Sequence, residues 1–189
     1  MLKLHPKRTA LVAIDLQKGI LGAPIAPHPA ATVVANSTRL AEALTRAGGA
    51  VVRVHVGFSA DGADRLKQEV DQPTAGGPRP PDWMDFVPEV AAWKGALEIV
   101  KRQWGAFHGT ELDLQLRRRG LDTIVLTGVA TNFGVEQTAR EAWQLGYSVV
   151  VAEDAISAIS EAAHRFAVET ILPRVARVRS TETILAALA

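Results

Sequence analysis

Cysteine is missing altogether from the 189 residues, which excludes a disulfide framework, a thiolate zinc centre and a thiol nucleophile together. An excess of charge of one sign is missing too. With 21 Lys+Arg against 20 Asp+Glu the formal net charge is +1, so no global field favours nucleic acid or an anionic membrane surface. The basic run Arg117, Arg118, Arg119 reads as the solvated end of a helix. The apolar stretch after His5, Lys7 and Arg8 is cut off by Asp15, too short for a signal peptide or a membrane span. A cytoplasmic protein is the expectation. A glycine-rich dinucleotide fingerprint is lacking as well, because IDLQKGILG does not have its spacing, and this argues against NAD. What remains is an ordinary composition, 48% hydrophobic and 22% charged, read as a single domain over residues 1–189. A chain of this length buries roughly 70% of its unfolded surface and needs no covalent staple.

Thr9 to Ile14 (TALVAI) is short and almost wholly apolar, as expected of a strand buried on both faces of a parallel sheet. Residues 30 to 47 carry Val33, Val34, Leu40, Ala41 and Leu44 at helical spacing and stop at Gly48-Gly49. Further strands are expected at 50–56, 97–101, 123–127, 147–152 and 175–178, with helices at 110–119, 132–145, 160–172 and 181–187. Between 57 and 96 the periodicity dissolves into glycines, prolines and isolated aromatics, among them Pro73, Gly76, Gly77, Pro78, Trp83 and Trp93. Such a long irregular stretch reads as a lid or binding segment. Strands alternating with helices imply a three-layer α/β domain around a parallel, doubly wound sheet. In that architecture a ligand sits beyond the carboxyl ends of the strands.

Three features stand at such ends: Asp15 after the first strand, Lys101 closing the third, and the turn GVATNFG, residues 128–134, after the fourth. Taken singly, Asp15 would cap a backbone turn and Lys101 would lie along the surface. Their appearance together suggests one crevice. Backbone amides at a helix start carry partial positive charge, so those near Gly134 suit an oxygen that gains negative charge.

The segments TALVAIDLQKGI, KRQWGAFHGTEL and VLTGVATNFGVEQTAREAWQLGYSVVVAEDAIS resemble the three signature stretches of the isochorismatase-like hydrolase superfamily, in order and spacing. The resemblance covers nearly the whole chain. It implies a Rossmann-like α/β/α sandwich with a six-stranded parallel sheet in the order 3-2-1-4-5-6. It places the family's Asp on Asp15 and its Lys on Lys101, and puts Gly134 where most members carry a nucleophilic cysteine. It also implies a non-proline cis peptide between Val129 and Ala130, whose amide would join that of Gly134 in an oxyanion-type site.

Without the thiol, covalent amide hydrolysis by the route of nicotinamidases and N-carbamoyl amidases is closed. Thr131, Ser157 and Ser160 do not stand at the equivalent place. Isochorismatases proper work without this cysteine and cleave a vinyl ether, which needs only a positioned acid. The reading is therefore general acid catalysis on a small carboxylated substrate such as isochorismate, releasing pyruvate. Asp15 is the acid, with desolvation and Lys101 pulling its pKa in opposite directions. Lys101 would orient the acid and bind a substrate carboxylate or leaving oxygen. Ala130, Gln17, Trp104 and Arg65 are candidate substrate contacts, although Gln17 could equally tie down the next loop and Trp104 could simply pack. A non-catalytic small-molecule binder and an amidohydrolase using water directly are the alternatives. No cofactor is expected, and no metal: only His55 stands near the place where nicotinamidases hold one, and His5, His28, His108 and His164 show no ligand spacing. Trp83 and Trp93, read as exposed, suggest a homo-oligomer.

Overall fold

The computed structural model describes residues 2–73 and 79–188. Gly76, Gly77 and Pro78 of the irregular stretch lie outside the described residues. The chain runs β1 (Thr9–Ile14), α1 (Lys18–Leu21), α2 (Ala30–Arg46), β2 (Ala50–Val56), α3 (Pro88–Ala91), β3 (Leu97–Lys101), α4 (Leu112–Arg118), β4 (Thr123–Val129), α5 (Glu136–Gln144), β5 (Ser148–Ser157), α6 (Glu161–Phe166), β6 (Arg177–Arg179) and α7 (Thr181–Leu188). Among the described residues the strands form one six-stranded sheet, ordered β3-β2-β1-β4-β5-β6, and every neighbouring pair is parallel. This is the order the resemblance implied.

β1 is wholly buried because it lies between β2 and β4 and is covered on both faces. Successive side chains of a strand point to opposite faces. Ala10, Val12 and Ile14 accordingly pack with Leu112 and Leu116 of α4 and Ala139 and Ala142 of α5. Leu11 joins Leu40 and Leu44 of α2 and Ile184 of α7 on the other side. Gly128 in β4 is a site of close approach. Its φ is +107°, and a Cβ there would stand 2.0 Å from the carbonyl oxygen of Ile14, so only glycine lets β4 pass β1 at this height.

Several boundaries differ from the sequence expectation. The helix expected over 132–145 opens with a π-helical turn, Thr131–Val135, because the Ala130 carbonyl accepts from both Phe133 N–H and Val135 N–H. The helix expected over 160–172 is broken into α6, a π turn at Ala167–Ile171 and a 3₁₀ turn at Leu172–Arg174, where Pro173 has no N–H to give. β5 continues past Ala152 to Ser157 through a register irregularity against β4. Trp83 and Trp93 are half-buried rather than exposed. Trp83 lies under the Arg79 guanidinium and against Gly19, and the Trp93 indole N–H donates to Thr38. The large apolar side chains on the surface are others, including Trp104, Trp143, Ile159 and Phe166. No helix among the described residues is long and apolar enough to cross a membrane.

Candidate active site

Asp15 follows β1 directly and takes φ of +55°, a left-handed conformation uncommon for a residue with a side chain. Its N–H donates to the Val54 carbonyl at 2.8 Å, which holds this turn against β2. Such a conformation costs about 1–3 kcal/mol and persists where the surroundings impose it, often at functional sites. Lys101 comes from β3, two strand spacings away, or roughly 10 Å. A long side chain is needed to cross that interval, and Lys101 crosses it fully buried, at 1% exposure.

The ammonium of Lys101 donates to Asp15 Oδ2 at 2.8 Å, to the Trp104 carbonyl at 2.9 Å and to the Gln103 carbonyl at 3.1 Å. An ammonium has three N–H donors. All are spent, so Lys101 anchors the acid and the 103–104 strap and has no N–H free for a substrate carboxylate. Asp15 is 6% exposed, and among the described residues its Oδ1 has no hydrogen-bond partner. Burial pushes the Asp15 carboxyl up to about 6, with the charge and hydrogen bond of Lys101 pulling only part of the way back. The two opposing effects seen in the sequence thus resolve in favour of desolvation. The result is a carboxyl that keeps its proton up to about pH 6, well above the ordinary carboxylate range.

Gly134 is buried beside this pair. A Cβ at Gly134 would lie 3.3 Å from Asp15 Oδ2, 3.4 Å from the Trp104 carbonyl and 2.9 Å from Ile14 Cγ2. Position 134 therefore borders the acid, at the spot where cysteine members would carry their sulfur. The peptide between Val129 and Ala130 is cis, and Ala130, partly exposed, leads into the π turn that carries Gly134.

The remaining candidates fall elsewhere. Gln17 is fully buried, and its amide is taken up by backbone: Nε2 donates to the Val56 and Trp83 carbonyls, and Oε1 accepts from Val56 N–H at 2.8 Å. It clamps the end of β2 to the 83–86 segment and does not hydrogen-bond Asp15. Trp104 serves Lys101 through its carbonyl, while its indole is 59% exposed and lies against the Phe133 ring, centroids 4.7 Å apart. Arg65 is exposed, with its guanidinium over the Phe58 ring, and makes no contact with the buried pair. A groove of about 790 Å3 opens outside the strap, lined by Gln103, Trp104, Phe107, His108 and Glu141 among others. Asp15 and Lys101 are not part of its lining, so the strap residues face the ammonium with their carbonyls and the groove with their side chains.

One grouping escaped the sequence reading. His28 and His164 converge on Glu153, and His164 Nδ1 lies 2.9 Å from the buried Thr131 Oγ1 at the head of the π turn. Spacing along the chain could not reveal it, since His28 and Glu153 are 125 positions apart. The only local signal was a polar Glu153-Asp154 pair inside an otherwise apolar strand.

An Asp–Lys pair beyond the ends of β1 and β3, a cis peptide after β4 and this strand order together define a hydrolase fold of the isochorismatase type. Residues 9–183 match the Isochorismatase domain, and the chain belongs to the isochorismatase family of hydrolases. It is 53% identical over 188 residues to the uncharacterized isochorismatase family protein YecD of Escherichia coli O157:H7, covering 100% of both chains. A solved structure of an isochorismatase family protein from Burkholderia thailandensis superposes with a TM-score of 0.94 at 45% identity, covering 98% of this chain and 97% of that one. The ureidoacrylate amidohydrolase RutB of Variovorax paradoxus is 29% identical, covering 86% of this chain and 73% of its own.

Proposed function

We propose that this family member is a cysteine-independent hydrolase of a small carboxylated substrate, favouring a vinyl ether such as isochorismate, with Asp15 as the general acid. The observation that carries the reading is a buried carboxyl pushed up to about 6 beside a glycine where a sulfur nucleophile would stand. The acid delivers its proton to the methylene carbon of the enol ether, leaving an oxocarbenium-like centre. Water adds to that centre and returns a proton to the Asp15 carboxylate. Collapse of the hemiketal then breaks the carbon–oxygen bond and releases pyruvate. Lys101 holds Asp15 in place and balances its charge after the proton has left. The amides of Ala130 and Gly134 hold the substrate or the attacking water. Arg65, engaged with Phe58, is no part of this reading.

A second reading, amide hydrolysis by water without a covalent intermediate, draws on the likeness to RutB. The experiment that separates them incubates the purified protein with isochorismate and with a panel of small amides, following pyruvate and ammonia. Pyruvate from the wild type, and about 10²–10⁴-fold slower release from Asp15→Asn, is expected. No pyruvate from the wild type ends the ether reading, and ammonia from the wild type supports the amide one. Ammonia from Gly134→Cys alone would mean that amide chemistry on this scaffold needs the sulfur. A protein that binds such compounds and turns over none would be a binder that kept the pocket. A cytoplasmic homo-oligomer belongs to the same proposal, and the exposed Trp104, Trp143 and Phe166 support the association.

A further inference from the structure

His28, Glu153 and His164 come from three separate places. His28 sits between Pro27, which follows a cis peptide, and Pro29, and its N–H donates to Ser157 Oγ at 3.2 Å. Paired hydrogen bonds between Ala26 and Ala158 fasten this segment to the end of β5. Glu153 occupies the irregularity in β5, where the ladder with β4 loses register and a side chain can be re-aimed. His164 lies on α6, its side chain only 5% exposed. His28 Nε2 stands 3.0 Å and His164 Nε2 3.1 Å from the same oxygen, Glu153 Oε1. The three donor atoms all lie within 4.8 Å of one another, and the imidazole rings meet nearly edge to face at 82°.

We propose that these three side chains form a binding site for one divalent cation of the zinc type, distinct from the Asp15–Lys101 pair. Zinc holds imidazole nitrogen and carboxylate oxygen at about 2.0–2.2 Å in tetrahedral geometry, which sets ligand atoms roughly 3.3 Å apart. The two N···O separations are within a few tenths of an ångström of that value, and an ion would draw the two nitrogens, which lie within 4.8 Å of each other, to the same spacing. Without it, each imidazole donates an Nε2 proton to Glu153. On binding, both nitrogens turn to the metal and the protons move to Nδ1 of each ring. His164 Nδ1–H then meets Thr131 Oγ1, the kind of outer hydrogen bond that fixes the ring of a metal-ligating histidine. Two imidazoles and one carboxylate favour zinc, cobalt or nickel over magnesium and calcium, which prefer all-oxygen sites. His28 and Glu153 are 25% and 35% exposed, so the fourth position opens to water. The ion would staple the 26–29 segment, the β5 irregularity and α6 into one unit, with Thr131 linking it to the turn that carries Gly134.

The site is tested by titrating the untagged chain with Zn²⁺, and with Co²⁺ followed by its visible absorption. One equivalent of each is expected to bind, with the intense band of four-coordinate cobalt, while Mg²⁺ at the same concentration does not compete. His28→Ala, at a partly exposed position, and Glu153→Gln should each weaken binding at least tenfold, and His108→Ala, outside the site, should leave it unchanged. Absence of stoichiometric binding overturns the proposal. So does binding that survives both substitutions or is lost in His108→Ala. Because the readout is metal uptake, the result stands apart from which bond the enzyme hydrolyses.

Discussion

Asp15 and Lys101 form a buried pair in which the two members are not equals. Lys101 meets three acceptors and is satisfied as a cation, whereas Asp15 has one oxygen paired and the other without a partner. When Asp15 is protonated, Lys101 still donates to the Gln103 and Trp104 carbonyls, which suits a pair in which one member must give up and regain a proton. If Asp15 is the acid, Asp15→Asn should lower kcat by about 10²–10⁴, the usual contribution of a positioned acid. The protonated form is the active one, so kcat/KM should be flat below pH 6 and fall about tenfold per pH unit above it. Lys101→Met removes the influence that holds the carboxyl down, and burial alone would then set it. The falling limb of the pH profile should move to higher pH in that variant, even where the maximal rate suffers from a loosened 103–104 strap. A limb that stays in place would show that another group governs it.

At the level of elements, what could be read in the sequence was what local pattern encodes. The apolar run of β1, the 3.6-residue stripe of α2 and the glycine stop after it agree with the structure, and so does the position of Asp15 and Lys101 at strand ends. Features that depend on distant partners were not legible. β5 runs on to Ser157 because β4 and the 26–28 segment offer it hydrogen bonds, although Glu153 and Asp154 look like the end of a strand. Trp83 and Trp93 read as surface aromatics because nothing local shows Gly19 or Thr38 waiting for them. Gln17 is the most instructive case, since its place two residues after Asp15 suggested a contact with the acid or the substrate. Its amide instead closes the gap between β2 and the 83–86 segment. Gln17→Ala would leave the partly buried Val56 N–H without its acceptor and remove the fully buried amide that clamps it, and a loss of roughly 1–3 kcal/mol in unfolding free energy is expected. Denaturant titration measures it. If Gln17 were a substrate ligand, KM would rise out of proportion to that loss, and the clamp assignment would fail.

For the molecule as a whole, the buried acid ties stability to pH in a direction opposite to that of most carboxylates. Asp15 is raised from its ordinary 3.8 to about 6, so the folded chain holds a proton that the unfolded chain releases. Its favourable contribution is complete below pH 4, declines as pH rises, and is lost once pH passes the folded value. A shift of this size corresponds to about 3 kcal/mol. His164 works the other way. Burial holds it below its ordinary value, so it favours the fold above pH 6.5, and that support is lost as pH falls through the folded value. Measured on the wild type alone, the two slopes overlap near pH 6. Asp15→Asn separates them, since asparagine does not titrate and the cost of leaving Lys101 beside a neutral amide is a constant offset while the lysine stays charged. Unfolding free energies measured at intervals from pH 4 to pH 8 should show the wild type losing about 3 kcal/mol relative to the variant, with most of the change between pH 4 and 6. Parallel curves would mean that the folded chain does not raise the Asp15 carboxyl above its ordinary range, and the acid proposed for hydrolysis would then have almost no proton to give near neutrality.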